Sequence, residues 1–136
     1  QLGYYGADIM LYAQTNGLNT WWIGSTFNRN VDKIVPGNKV IGIIAVGYGA
    51  TQGVAHKSKT SAEVSEYMGE EPEWFKQGVQ AALLAPTAMN KQPFKLVGKD
   101  TNVNITCDGD GFTGVDTGIV KYHFELGAGN SNFLWH

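Results

Sequence analysis

The sequence predicts a mixed α+β fold in which helices pack on a mixed or antiparallel sheet. Three patterns support this class. Residues 5–18 and 72–86 carry apolar side chains at helical spacing, residues 39–46 form a near-continuous apolar run, and "FKLVGKD" and "NVNITCDGD" resemble two strands joined by a turn. The chain has 136 residues, 43% of them hydrophobic and 16% charged, which is the composition of one globular domain.

The first half of the chain is predicted to contain a helix followed by strands. The helix over residues 5–18 ends at Gly17, and its apolar stripe consists of Tyr5, Ile9, Tyr12 and Ala13. "TWWIGST" is a short strand, and "FNRNVDKIVP" forms a helical turn that ends before Pro36. The run over residues 39–46 indicates an interior strand that is buried on both faces.

The second half begins after a polar stretch, residues 61–72, which we expect to be a connector that starts with a short capped helix. Pro72 starts a helix that Pro86 ends, with a buried face of Phe75, Val79, Ala82 and Leu83. The predicted hairpin follows. The last helix has an apolar stripe and ends at "GAGN", after which "SNFLWH" is a loose tail; the stripe residues are Val115, Ile119, Tyr122 and Leu126.

The domain organisation follows from these elements. We expect one domain over residues 1–136, in which 1–60 end a first half, 61–72 connect, and 73–136 form a second half. No internal repeat is present in the sequence. The chain begins with Gln1 rather than methionine, and we expect it to be a piece of a longer protein.

Composition also argues against several classes of protein. The net charge of −2 gives no broad basic surface for a nucleic acid. The longest apolar run, "VIGIIAVGY", is too short to span a bilayer. Cys107 is the single cysteine, which excludes an intramolecular disulfide and fits a reducing cytoplasm. The histidines lack metal-ligand spacing, and no residue is predicted to bind a metal.

Two lysines follow a glycine-rich loop. "VIGIIAVGYGATQG" resembles a dinucleotide fingerprint at first sight, but no helical pattern opens after it, so a strand ending in a loop explains it better. Lys57 and Lys59 share a face if the segment is extended, and the pair can hold a phosphate. The alternative is that both are solvated surface lysines.

The segment "PTAMNKQPF" is the best candidate for a binding loop. Pro86 fixes the exit from the helix, while Thr87 and Ala88 are small enough for their backbone to approach a ligand. Asn90 and Gln92 each carry donors and an acceptor, which suits a flat, uracil-like edge. The alternative is a turn stapled by side-chain-to-backbone hydrogen bonds.

Adjacent tryptophans form the third candidate. Trp21 and Trp22 point to opposite faces of a strand, so one can pack while the other faces a ligand or partner. The alternative is two core aromatics. His123 is interpreted as a packing residue, Cys107 has no nearby partner that would make it a nucleophile, and Asp108, Asp110 and Asp116 are spread over turns without a calcium-loop pattern.

Together these segments resemble the nitroreductase family of flavoproteins. "LAPTAMNKQPF" is similar to its "APSxxNxQPW" segment, "GLNTWWIGSTFN" to its "GLGTCWIGGF", and "KVIGIIAVGYGA" followed by "HKSK" to its late strand and basic residues. The order of the three resembles the pseudo-dimeric "TM nitroreductase" group, in which one chain supplies both halves of the usual homodimer. The resemblance covers most of residues 3 to 128.

The resemblance implies an α/β sandwich with FMN between its halves and a reaction that passes electrons from NAD(P)H to a nitroaromatic, quinone or similar acceptor. One half would supply the 86–92 segment to the flavin, the other would line the ring, and two lysines would lie near the phosphate. These cofactor-binding residues are Pro86, Thr87, Ala88, Asn90, Gln92, Trp22, Ile23, Gly24, Lys57 and Lys59. The flavin carries the redox chemistry, so no acid–base residue is named.

The sequence departs from the family pattern at several points. The arginine-bearing "RRSxR" stretch is absent, Thr87 replaces serine, Trp21 replaces cysteine and Phe94 replaces tryptophan. We therefore expect the sandwich to be incomplete in this chain, with tight association with an N-terminal fragment or a second copy. The alternatives are a flavin- or nucleotide-binding module without turnover, and a structural half-domain that needs a partner fragment.

Overall fold

The computed structural model describes residues 1–34, 36–109 and 111–136. They divide into two compact units, residues 1–8 with 55–136, and residues 9–54. The helices and strands confirm the α+β class. In chain order they are α1 (Leu2–Thr15), β1 (Asn19–Ile23), β2 (Ile43–Gly47), α2 (Ser61–Val64), β3 (Ser65–Met68), α3 (Glu73–Ala82), β4 (Phe94–Lys99), β5 (Asn102–Cys107), α4 (Thr113–Ala128) and β6 (Leu134–Trp135). None of the helices described is long and apolar enough to cross a membrane.

The 9–54 unit contains a two-stranded antiparallel sheet. β1 and β2 pair with Trp21 opposite Ala45, and a 3-10 turn over Arg29–Lys33 confirms the helical turn predicted there. The prediction of an interior strand buried on both faces is wrong for the described residues, because β2 has β1 as its one neighbour there and is exposed from Ala45 onward. An apolar run reports hydrophobicity and says nothing about how many strands lie beside it.

The larger unit is built on a four-stranded mixed sheet in the order β3-β4-β5-β6. β4 and β5 form the predicted antiparallel hairpin, with Lys99 opposite Asn102 across a turn in which Asp100 has a φ of 53°. β3 and β6 flank the hairpin in parallel. The 61–72 stretch therefore contributes a strand rather than only connecting two halves, and the prediction of a loose tail is wrong because β6 pairs with β5.

Helix α3 has the buried face that its pattern predicted. Phe75, Val79, Ala82 and Leu83 are each at most 6% exposed. Phe75 continues into an aromatic cluster, with ring centroids 5.7 Å from Phe124, which in turn lies 5.1 Å from Phe133. The helix begins after Pro72 and ends at Ala82, before the 86–92 loop. Hydrophobic packing of this face fixes the point from which the loop leaves the helix.

Helix α4 is confirmed, although two residues of its predicted stripe are not buried: Tyr122 is half-buried and Leu126 is exposed. Ile119 is 2% exposed, whereas Leu126, two turns later on the same face, is 60% exposed. Within the described residues, the first turns of this face are packed against other elements and its last turn is exposed to solvent. Gly129, with a φ of 77°, ends the helix as the "GAGN" pattern predicted.

Two glycines allow the first turn of α1 to approach α4 closely. A Cβ on Gly3 would lie 1.9 Å from the carbonyl oxygen of Val115, and a Cβ on Gly118 would lie 2.7 Å from the backbone nitrogen of Tyr4. Both distances exclude a side chain. Close backbone packing therefore orients the start of α4, the part of the helix that contacts the 86–92 loop.

His123 is a packing residue, as the sequence analysis interpreted it. Its side chain is 7% exposed, and its Nδ1 lies 2.9 Å from the carbonyl oxygen of Ile119 one turn earlier. Burial lowers the pKa of His123 below its usual 6.5, and the hydrogen bond to Ile119 opposes that shift. The folded protein therefore favours the neutral imidazole.

Replacing Gly78 by alanine is expected to destabilise the protein, because the new Cβ would lie 2.6 Å from Phe124 Cε2 and 2.9 Å from Ala128 Cβ. Overpacking of this kind costs about 1–3 kcal/mol of unfolding free energy. The matched control is Gly114→Ala in α4, where nothing lies within 4 Å and alanine is expected to stabilise by roughly 0.5–1 kcal/mol. Urea denaturation measures both; equal effects of the two substitutions would contradict the packing described.

The buried His123 predicts a pH dependence of stability. Below the unfolded pKa of 6.5 the unfolded chain binds a proton that folded His123 resists, so the unfolding free energy falls as pH falls through that value. The slope from this residue is at most ~1.4 kcal/mol per pH unit. His123→Gln should have a shallower slope between about pH 7 and 5.5, and His136→Gln, at an exposed position, should keep the wild-type slope. Identical slopes for wild type and His123→Gln would contradict burial of the neutral ring.

Candidate functional site

The structure brings together two of the predicted segments, residues 57–59 and the loop of residues 86–92. Asn90 Nδ2 donates to the carbonyl oxygen of Lys57 over 2.8 Å. The backbone nitrogen of Lys59 donates to Gln92 Oε1 over 2.7 Å, and Lys59 Nζ donates to the Gln92 carbonyl oxygen over 2.9 Å. Six of the predicted residues therefore share one hydrogen-bonded cluster with Asp116. They are Lys57, Lys59, Thr87, Ala88, Asn90 and Gln92.

Gln92 is the centre of this cluster. It is 1% exposed, and its Nε2 donates to the carbonyl oxygen of Leu83 at the end of α3, over 2.9 Å. Its backbone nitrogen donates to Thr87 Oγ1 over 2.9 Å and closes the loop. Both ends of the Gln92 amide thus bind protein backbone, as in the stapled-turn alternative of the sequence analysis. In this arrangement Gln92 holds the two segments together and has no free amide edge for a ligand.

The 86–92 loop has an unusual backbone. Met89 and Asn90 each have a φ of 53°, and Gln92 has a φ of 46°. Residues other than glycine, asparagine and aspartate seldom adopt this left-handed backbone conformation, which costs roughly 1–3 kcal/mol per residue elsewhere in proteins. The kink interrupts the 3-10 turn over Ala88–Asn90 and leaves Met89 87% exposed. Strained backbone of this kind is concentrated at binding sites.

The polar groups left at the surface of the cluster are mainly cationic or amide. Lys57, Lys59 and Asn90 are exposed. Within the described part of the chain, no hydrogen bond or ion pair engages the ammonium group of Lys57. Glu63 is a nearby carboxylate: hydrogen bonds from Thr60 lower its pKa, and the charge of Lys59 contributes. Of the two predicted lysines, Lys57 is therefore the one whose ammonium group is more available to an anionic ligand.

Trp22, Ile23 and Gly24 belong to the other compact unit, so their place relative to the 86–92 loop stays a prediction. They lie at the end of β1, where Trp22 is half-buried and packs against Gly42. Trp21 is 65% exposed, which rules out the alternative of two core aromatics. The two indoles are thus in different environments, as expected for neighbours on a strand.

Sequence reasoning missed the contribution of Asp116. It was assigned to a turn, but it lies in the first turn of α4, where it is 4% exposed and accepts a hydrogen bond from the Ala88 backbone nitrogen. The Ala88 amide is therefore engaged, contrary to the expectation that it is open to a ligand. Asp110 lies outside the described residues. Burial raises the pKa of Cys107, so its thiol is a poor nucleophile, as the sequence indicated.

Comparison with known proteins agrees with this fold. A sequence model of the family described as "Putative TM nitroreductase" matches residues 1–128. Among solved structures, the chain is similar to one titled as a putative nitroreductase from Thermotoga maritima, with a TM-score of 0.75 and 26% identity. The match covers 95% of this chain and 54% of that chain. No curated protein matches.

The fold defines a nitroreductase-like α+β protein. The family match extends over nearly all of the sequence, and the chain belongs to the TM nitroreductase family. It spans about half the length of the solved relative it matches. The family resemblance inferred from the three sequence segments is thereby confirmed.

Proposed function

We propose that this chain is part of an FMN-dependent oxidoreductase that passes electrons from NAD(P)H to a nitroaromatic, quinone or similar acceptor. The observation that carries the proposal is that residues 57–59 are hydrogen-bonded to the 86–92 loop. It brings exposed ammonium groups next to an exposed amide in one unit. Membership of the nitroreductase family supplies the class of chemistry.

The lysines suit the phosphate of FMN. Lys57 has an exposed ammonium group that no described residue engages. Lys59 Nζ donates to the Gln92 carbonyl oxygen and keeps two further N–H groups. An ammonium group binds phosphate as a point charge and needs no fixed geometry. Both residues can therefore contact a phosphate without breaking the hydrogen bonds of the cluster.

The neighbouring His56 is a second sign that the site takes a further polar group. Both of its ring nitrogens are buried and have no hydrogen-bond partner among the described residues. Buried polar atoms without partners are rare in native proteins. A polar group from a ligand or from another chain segment would satisfy them. The position of His56, directly before Lys57, fits a site that is completed by such a group.

Within the 86–92 loop, the residues divide into those that can contact the flavin and those that place it. Asn90 keeps its Oδ1 and one N–H after donating to Lys57, and Thr87 keeps its hydroxyl hydrogen after accepting from Gln92. Pro86 and Ala88 would contribute surface. Gln92 would act by holding the loop, because both ends of its amide are engaged.

The isoalloxazine ring would contact the other unit through Trp22, Ile23 and Gly24. When bound, FMN would carry out the transfer of hydride and electrons between NAD(P)H and the acceptor. The chain's residues would supply orientation and hydrogen bonds. No side chain is assigned an acid or base role. Because the chain spans about half of its solved relative, the remaining phosphate and ring contacts would come from a further segment or a second copy.

Lys57→Met is expected to weaken FMN binding about tenfold, close to 1.4 kcal/mol, because it removes one phosphate contact. Binding of riboflavin, which lacks the phosphate, should not change. Lys76→Met is the matched control, since Lys76 is exposed on α3 away from the cluster, and it should bind FMN as the wild type does. Fluorescence titration measures all three. Equal loss for FMN and riboflavin would exclude a phosphate role for Lys57.

Turnover is tested on the FMN-loaded protein by its visible spectrum under argon, before and after addition of NADH or NADPH. Loss of the flavin absorption band is expected with at least one of them. A bound flavin whose spectrum neither nicotinamide changes would contradict the oxidoreductase and favour a flavin-binding module without turnover.

A further inference from the structure

Asp116 is a buried carboxylate that contacts the backbone of the proposed flavin loop. It lies in the first turn of α4 and is 4% exposed. Its Oδ1 and Oδ2 lie 3.0 and 3.2 Å from the backbone nitrogen of Ala88. Burying a carboxylate carries a large desolvation cost. An apolar side chain could have packed at this position, so the carboxyl group is expected to perform a task that an apolar residue cannot perform.

The task indicated by the geometry is to hold the kink of the loop. Ala88 directly precedes Met89 and Asn90, both with a φ of 53°. Such a conformation persists where the surrounding structure enforces it. Side chains hold the backbone on both sides of the kink: Asp116 accepts from the Ala88 nitrogen, and Thr87 Oγ1 accepts from the Gln92 nitrogen. Turn hydrogen bonds from the Asn90 and Lys91 nitrogens span the kink itself.

Fixing the Ala88 amide has a direct consequence for what the loop presents. The Ala88 N–H points to Asp116 and is not available to a ligand. The chain then turns so that Met89 is 87% exposed and Asn90 is exposed with its amide hydrogen-bonded to Lys57. Release of Ala88 would let the backbone relax toward ordinary φ values and would move both side chains.

We propose that Asp116 is a positioning residue for the cofactor loop: it holds the Ala88 amide and thereby sets the kink that presents Met89 and Asn90 to the flavin. This rests on the proposed function, because the flavin is the ligand assumed. Asp116 acts through the loop backbone and does not contact the ligand itself. The competing explanation is that Asp116 only attaches α4 to its neighbours and contributes to global stability.

Two variants separate these explanations. Asp116→Asn keeps the shape and one acceptor oxygen but removes the charge. Ala88→Pro removes the donor itself, and its ring carbon occupies the space between this nitrogen and the Asp116 carboxylate, so the contact is lost from the loop side. Proline is otherwise tolerated at the first position of a helical turn, and the preceding Thr87 is already extended with a ψ of 159°. The control is Asn132→Ala, which removes the 2.7 Å bond from Asn132 Nδ2 to the Ala128 carbonyl oxygen at the other end of α4.

The first readout does not depend on flavin. Amide hydrogen exchange of the purified protein is expected to be about tenfold faster at Ala88 in Asp116→Asn, with a similar local increase at Asn90 and Gln92 in both loop variants. Trypsin cleavage after the exposed Lys91 should accelerate in parallel. Exchange in the core of α4 should stay unchanged, and Asn132→Ala should leave the loop protected.

The second readout is FMN affinity by fluorescence titration. Asp116→Asn and Ala88→Pro are each expected to raise the Kd for FMN about tenfold, and Asn132→Ala to leave it unchanged. Local loss of protection together with weaker binding supports the proposal. Loss of protection spread along α4, unchanged exchange at Ala88, or wild-type affinity in a variant with a released loop would overturn it.

Failure of the proposed function gives a different result. If the wild-type protein does not bind FMN, the flavin is not the ligand, and the claim that the loop presents Met89 and Asn90 to a flavin is overturned with it. The exchange experiment still decides whether Asp116 holds the kink, because it is carried out without flavin.

Discussion

The buried amide of Gln92 is the interaction on which the rest of the site depends. Its oxygen accepts from Lys59 and its nitrogen donates to Leu83, so one side chain joins the 57–59 segment, the end of α3 and the 86–92 loop. If either partner were lost, the buried Gln92 amide would be left with an unsatisfied donor or acceptor, at a cost of about 1–3 kcal/mol. The aromatic core beneath α3 supplies the fixed frame, and Gln92 links both segments to it, together with the hydrogen bonds from Asn90 to Lys57 and from Ser58 to Leu83.

The parts of the fold that the sequence predicts best are those that local patterns determine. The buried face of α3, the hairpin of β4 and β5 and the termination of α1 near Gly17 all follow from side-chain spacing or from a residue's φ preference. Strand neighbours are determined by contacts between distant residues. For that reason the open edge of β2, the pairing of β6 with β5 and the strand within residues 61–72 could not be predicted from local patterns.

Sequence reasoning located the candidate site more accurately than it assigned roles within it. The motif residues of the 86–92 loop and the two lysines do come together in one cluster. Their individual tasks depend on which hydrogen bonds are already made inside the protein, and spacing does not reveal this. The Gln92 and Ala88 amides, both expected to face a ligand, bind Lys59, Leu83 and Asp116 instead. Asp116 had no sequence signal beyond an acidic residue near a helix start, a very common feature.

The account's central claim is that Gln92 makes the site by positioning the lysine segment. A double-mutant cycle for FMN binding with Gln92→Leu and Lys57→Met tests it most directly, because coupling between residues that do not touch the same ligand atom reports positioning. Lys57→Met should weaken binding about tenfold in the wild-type background and less than about threefold in the Gln92→Leu background, a coupling near 0.7 kcal/mol or more. The same tenfold loss in both backgrounds would show that the lysine is placed without Gln92 and would contradict the account.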